Sequence, residues 1–202
     1  ASDYRPIFVN AGINDLLEKE SPLVETTIGI IDGGISKSNT YLEPYVIARE
    51  EYVEESYQNS YHATFIASTI QYGNVLNNIQ SEISNKFNFV DIVAIPNSDT
   101  NVGLTDTLGE EELMEIIVES MEKYASDTKI WNLSLGIESQ VCDGSISDLA
   151  IFLDYIQDKY EVQFLVSSGN LRNRPLRSWP PQEEIGEKDR IISPADSIRA
   201  IT

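Results

Sequence analysis

Thr27-Ile28-Gly29-Ile30-Ile31-Asp32 is a short apolar run that ends in a carboxylate and is closed by Gly33-Gly34. It reads as a buried strand that stops in a tight turn. Three more segments have the same form. Phe89 to Ile95 is stopped by Pro96 and Asn97, Lys129 to Leu135 by Gly136, and Val162 to Val166 by Ser167-Ser168-Gly169-Asn170. Between them lie helical periods. His62 to Tyr72 sets Ile66, Ala67 and Ile70 on one face. Glu110 to Tyr124 carries a stripe of Leu113, Ile116, Ile117, Met121 and Tyr124 behind an acidic first turn. Ser145 to Tyr160 points Leu149, Phe152, Leu153 and Ile156 inward, and Ser145 with Asp148 resembles a capping box.

Strands that are apolar on both faces and alternate with helices predict an α/β fold, a three-layer doubly wound sandwich around a mainly parallel sheet. Residues 35–60 are polar and Tyr-rich and read as surface loops, with a short strand around Tyr45–Ala48. Asn14 to Glu20 reads as a short helix ended by Pro22, residues 171–189 as a loop, and Ile198 to Ile201 as the start of a further strand. The domain is expected over residues 27–202, with 1–26 as an N-terminal extension packed on it.

Composition narrows the function. With 202 residues and 41% hydrophobic content, one packed domain is expected. The net charge of −19 leaves no basic face for nucleic acid and disfavours an anionic membrane surface. No segment is apolar for long enough to span a bilayer. Cys142 is the one cysteine, so no internal disulfide can form, which fits a reducing compartment. A cytoplasmic location is the expectation, although a chain that starts at Ala1 leaves a trimmed leader open. His62 is the one histidine, which excludes a His-Glu-x-x-His zinc site, so no metal or other cofactor is expected. Oligomeric state is not legible.

Parallel sheets place their sites at the carboxyl ends of the strands. Asp32, Ser134-Leu135-Gly136 and Ser167-Ser168-Gly169-Asn170 all fall there. Taken alone, Asp32 before two glycines is an ordinary turn residue, and so is Asn170.

Together the segments resemble a family. Ile28-Gly-Ile-Ile-Asp32-Gly-Gly resembles the aspartate motif of the subtilisin-like serine peptidases, the subtilases, and His62-Ala-Thr-Phe-Ile-Ala-Ser-Thr-Ile70 their histidine helix. Ile130-Trp-Asn-Leu-Ser-Leu-Gly136 resembles the strand lining their substrate cleft. Phe164-Leu-Val-Ser-Ser-Gly-Asn170 resembles the segment ending in their oxyanion asparagine, and Ser193-Pro-Ala-Asp-Ser-Ile-Arg-Ala-Ile-Thr202 the proline turn and strand that follow. The five segments occur in the family's order.

The resemblance implies peptide-bond hydrolysis on a peptide or protein substrate. His62 would be general base and then general acid, and Asp32 would hold its tautomer. Asn170 would donate to the oxyanion, an effect of about 3–4 kcal/mol in such enzymes. The backbone of Ser134, Leu135 and Gly136 would pair with extended substrate, and Ser167, Ser168 and Gly169 would wall the first specificity pocket.

The sequence also departs from the pattern. The family's nucleophile lies in a Gly-Thr-Ser motif beyond the strand at which this sequence stops, and no Gly-Thr-Ser occurs in it. The expectation is a domain truncated before its serine and inactive alone. Gly33 stands where a Ser or Thr is usual, Ala63 where a Gly is usual, and Ala67-Ser68 replaces Ala-Gly. These changes suit a divergent, bacterial branch. They also leave a second reading, a non-catalytic subtilase-like module that binds peptides or partner proteins. A third reading, a doubly wound nucleotide binder, lacks both Gly-x-Gly-x-x-Gly and Gly-Lys-[Ser/Thr].

Overall fold

The structure is a computed structural model that describes residues 26–77, 79, 87–135, 144–169 and 190–202. Five strands form one all-parallel sheet: β1 (Thr27–Asp32), β2 (Val46–Glu51), β3 (Asn88–Val93), β4 (Ile130–Leu133) and β5 (Gln163–Val166). Their order across the sheet is β2-β3-β1-β4-β5. Three helices, α1 (Tyr61–Leu76), α2 (Glu110–Tyr124) and α3 (Asp148–Tyr160), complete the α/β fold expected from the alternating pattern.

Side chains alternate along each strand, so the central strands β1 and β3 feed two cores. Ile31, Val90, Ile92, Trp131, Leu133, Phe164 and Val166 pack with the stripes of α2 and α3. Ile28, Ile30 and Phe89 pack with Ala63 and Ala67 of α1. Helix α1 therefore covers one face and α2 with α3 the other. The steps β2→β3, β3→β4 and β4→β5 all run the same way across the sheet. The β2–α1–β3 unit thus has the opposite hand to the other two crossovers, a departure from the uniform right-handedness usual for such connections.

Several expected boundaries shift. The edge strand β2 runs to Glu51 instead of ending near Ala48, because Arg49 and Glu51 complete it with ion pairs where apolar residues would signal a strand. Helix α1 continues past Tyr72 to Leu76. The capping box at Ser145 does not form. Ser147 is the N-cap of α3, and the carboxylate of Asp196 accepts its backbone N–H and its hydroxyl, both at 2.7 Å. An anion there also complements the helix dipole. Residues 198–201 contribute a single parallel bridge, Leu165 to Ile201, because Asp154 of α3 takes the Ile198 and Arg199 N–H groups into a turn. The readings of Asn14–Glu20 and of 171–189 lie outside the described residues.

Gly29 and Trp131 are register partners on adjacent strands. A Cβ at Gly29 would lie 2.0 Å from Trp131 Cε3, so the indole occupies the space that a side chain on β1 would need. Trp131 is fully buried and donates its ring N–H to the Thr128 carbonyl at 2.9 Å. Gly29→Ala is expected to lower stability by about 2–3 kcal/mol. Gly29→Ala with Trp131→Leu should recover part of that loss, read in a double-mutant cycle of urea denaturation.

Candidate active site

Strand parity sets the site. Ile28, Ile30 and Asp32 face α1, so the last residue of β1 points its carboxylate toward the N-terminal turn of that helix. Small residues let α1 approach closely: Ala63 and Ala67, one turn apart, are fully buried against the sheet. His62 follows from that seating. Its Nδ1 lies 2.6 Å from Asp32 Oδ2. The other carboxylate oxygen accepts the Gly33 N–H at 2.6 Å.

Asp32 is buried, whereas the His62 side chain is 54% exposed. An ionised Asp32 can only accept, so Nδ1 carries the proton and Nε2 keeps a lone pair. Among the described residues nothing bonds to Nε2. The hydrogen bond that His62 donates to Asp32 raises the His62 pKa above its ordinary 6.5, partial burial opposes this, and the charge of Asp32 adds to the rise. The ring is thus oriented, made more basic and left open on the side that would meet a reacting group.

The other expected site residues divide in two. Ser134 and Leu135 extend from the carboxyl end of β4, next to β1. The β4–β5 ladder ends at Leu133–Val166, and among the described residues neither Ser134 nor Leu135 has a backbone hydrogen-bond partner. Ser167, Ser168 and Gly169 extend from β5 on the same edge. Ser167 Oγ accepts the Gly169 N–H at 3.1 Å, and Ser168 O accepts the Ile192 N–H at 3.2 Å. Gly169 has φ 101°, and a Cβ on it would lie 2.0 Å from Ile192 Cγ1, so both backbone and packing require glycine there. Gly136 and Asn170 lie outside the described residues.

The unusual glycine after Asp32 has a local reason. A Cβ at Gly33 would stand 2.5 Å from the Asn59 carbonyl oxygen, in the segment that leads into α1. Asn59 Nδ2 donates to Asn97 Oδ1 at 3.0 Å. Asn97 is 2% exposed and donates Nδ2 to the carbonyls of Asp99 and Leu104, both at 3.0 Å. Asn59 and Asn97 thus tie the loop after β3, which exposes Val102 and Leu104, to the entry of the His62 helix. Sequence reasoning missed both residues, since an Asn in a polar segment signals only a turn. Among the described residues no cluster of His, Cys, Asp or Glu could hold a metal ion, and no helix is long and apolar enough to cross a membrane.

The subtilase family model matches residues 24–202. The chain belongs to the subtilase family, a family of serine peptidases. No curated protein matches it.

A pKa raised in the folded state stabilises the fold fully below the unfolded value of about 6.5, and the contribution is lost as pH rises through the higher folded value. Because His62 is the only histidine, NMR titration of one imidazole reads this directly. Its midpoint is expected above 6.5 in the wild type. In Asp32→Asn it is expected to fall to the ordinary value or below, with the pH-dependent part of the stability lost. Asn97→Ala removes the hydrogen bonds that this buried side chain makes to Asn59, Asp99 and Leu104 and is expected to cost about 1–3 kcal/mol by denaturant titration.

Proposed function

We propose that this chain supplies the aspartate and histidine of a subtilisin-type serine endopeptidase, with Asp32 as orienting carboxylate and His62 as general base and acid. The observation that carries the reading is the 2.6 Å contact between Asp32 Oδ2 and His62 Nδ1, at the strand edge where Ser134–Leu135 and Ser167–Gly169 also emerge. Its chemistry is proton transfer. Nε2 takes the proton of a serine hydroxyl as that oxygen attacks the scissile carbonyl, and then delivers it to the leaving amine. Asp32 stays ionised and stabilises the imidazolium.

Asn170 is assigned as the side-chain donor to the oxyanion. The backbone of Ser134 and Leu135, without a backbone partner among the described residues, suits an extended peptide added as a strand together with Gly136, and Ser167, Ser168 and Gly169 suit the wall of the first specificity pocket. No residue of this sequence is assigned as nucleophile. On the α1 side of the sheet, Ile130 is 38% exposed and Asn132 is half-buried. Among the described residues this face of β4 is therefore only partly covered. Substrates are peptides or proteins.

The test is labelling of the protein at its full natural length with a fluorophosphonate probe. A serine labelled in the wild type, and at a rate at least about a hundredfold lower in His62→Ala, is the expected result. Folded protein that takes no label would favour the non-catalytic, peptide-binding module instead.

A further inference from the structure

Asp91 is the one charged residue in the otherwise apolar run of β3, and it is fully buried. It faces the same side of the sheet as Asp32. Ile30 is its register partner on β1 and Val93 is that of Asp32. Strand spacings therefore set the Asp91 and Asp32 backbones roughly 8 Å apart on one face. On its other flank Asp91 is paired with Arg49 of the edge strand. Arg49 Nη1 lies 3.1 Å from Asp91 Oδ2, Glu51 Oε1 lies 2.9 Å from Arg49 Nε as an ion pair without a hydrogen bond at that nitrogen, and Lys37 Nζ approaches the same Glu51 oxygen at 2.7 Å.

A buried ion pair is a poor way to gain stability, because desolvation offsets most of the attraction. Burial pushes the Asp91 carboxyl up to about 6 against the pull of Arg49. Its Oδ1 has no hydrogen-bond partner among the described residues. An apolar residue would serve β3 better if packing were the only requirement.

What the pair holds is the turn after Asp32. Asp91 Oδ2 accepts the Ile35 N–H at 2.9 Å, and Arg49 Nη2 donates to the Ile35 carbonyl at 2.6 Å. Both backbone groups of Ile35 are gripped by one ion pair. The intervening residues, Gly33 and Gly34, have no side chains to fix them, and Gly34 sits at φ 89°. A Cβ on Gly34 would lie 3.0 Å from Arg49 Nη2, so the guanidinium lies directly against this turn. Two successive glycines leave the backbone free unless something outside the turn restrains it. The Gly33 N–H that fixes Asp32 Oδ1 belongs to that turn.

We propose that Arg49 and Asp91 are positioning residues for the Asp32–His62 pair: by gripping Ile35 they immobilise the Gly33-Gly34 turn and so fix the aim of the Asp32 carboxylate. The proposal rests on the Asp32–His62 reading but is tested without peptidase activity, so failure of one is distinguishable from failure of the other. The readout is the His62 Nδ1 proton of this chain, followed by NMR in folded samples well below the melting temperature.

Arg49→Met and Asp91→Leu are expected to speed exchange of that proton about tenfold or erase its resonance. Asp91→Asn keeps an oxygen for the Ile35 N–H and should retain the signal. Arg49→Lys keeps the charge but not the two-directional grip, and should speed exchange severalfold even if the harsher variants do not fold. A purely structural pair would lower melting temperatures and leave the Nδ1 proton of folded Arg49→Lys unchanged, and that result would overturn the proposal.

Discussion

Alternation along β1 sends Ile28, Ile30 and Asp32 to the face covered by α1, and Gly29 and Ile31 to the face covered by α2 and α3. The parallel register with β3 on one side and β4 on the other fixes that parity, since a slip of one residue would turn Asp32 into the opposite core. The rest of the site is built on this constraint. Helix α1 reaches the Asp32 face only because its crossover has the reverse hand to its neighbours. Once there, Ala63 and Ala67 set its distance from the sheet, and the helix start places His62 over the end of β1.

Around this contact the fold uses glycine and asparagine where regular packing would not fit. Gly29 yields its space to Trp131, and Gly33 yields its space to the Asn59 carbonyl. Asn97 then links the β3–α2 loop to the same segment. Replacing the family's usual hydroxyl residue by Gly33 removes one local hydrogen-bonding group, and the Gly33 N–H bonds the Asp32 carboxylate in this chain. The acidic surface, with a net charge of −19, sits outside this arrangement and bears on solubility more than on chemistry.

Much of the architecture could be read from the sequence because it depends on local period. The apolar run 27–32 and the stripes of α2 and α3 announced a doubly wound sheet, and the placing of Asp32 and His62 in recognisable segments brought them to one edge. What escaped depends on distant partners. Arg49 lies in a polar stretch that reads as loop, and it makes sense only when β2 is laid beside β3 and meets Asp91. Ser145 looked like the cap of α3 because the real partner of that helix end, Asp196, comes from the far side of the chain. The hand of the α1 crossover leaves no mark in hydrophobic period at all.

The chemistry proposed for His62 places a serine nucleophile at its Nε2. The most direct measurement is a crystal structure of the full-length protein with a peptidyl phosphonate bound. The expected result is a serine Oγ joined to phosphorus, within hydrogen-bond reach of His62 Nε2, with the Asp32–His62 contact unchanged. An intact Asp32–His62 contact with no serine near Nε2, or a phosphonate attached elsewhere, would contradict it.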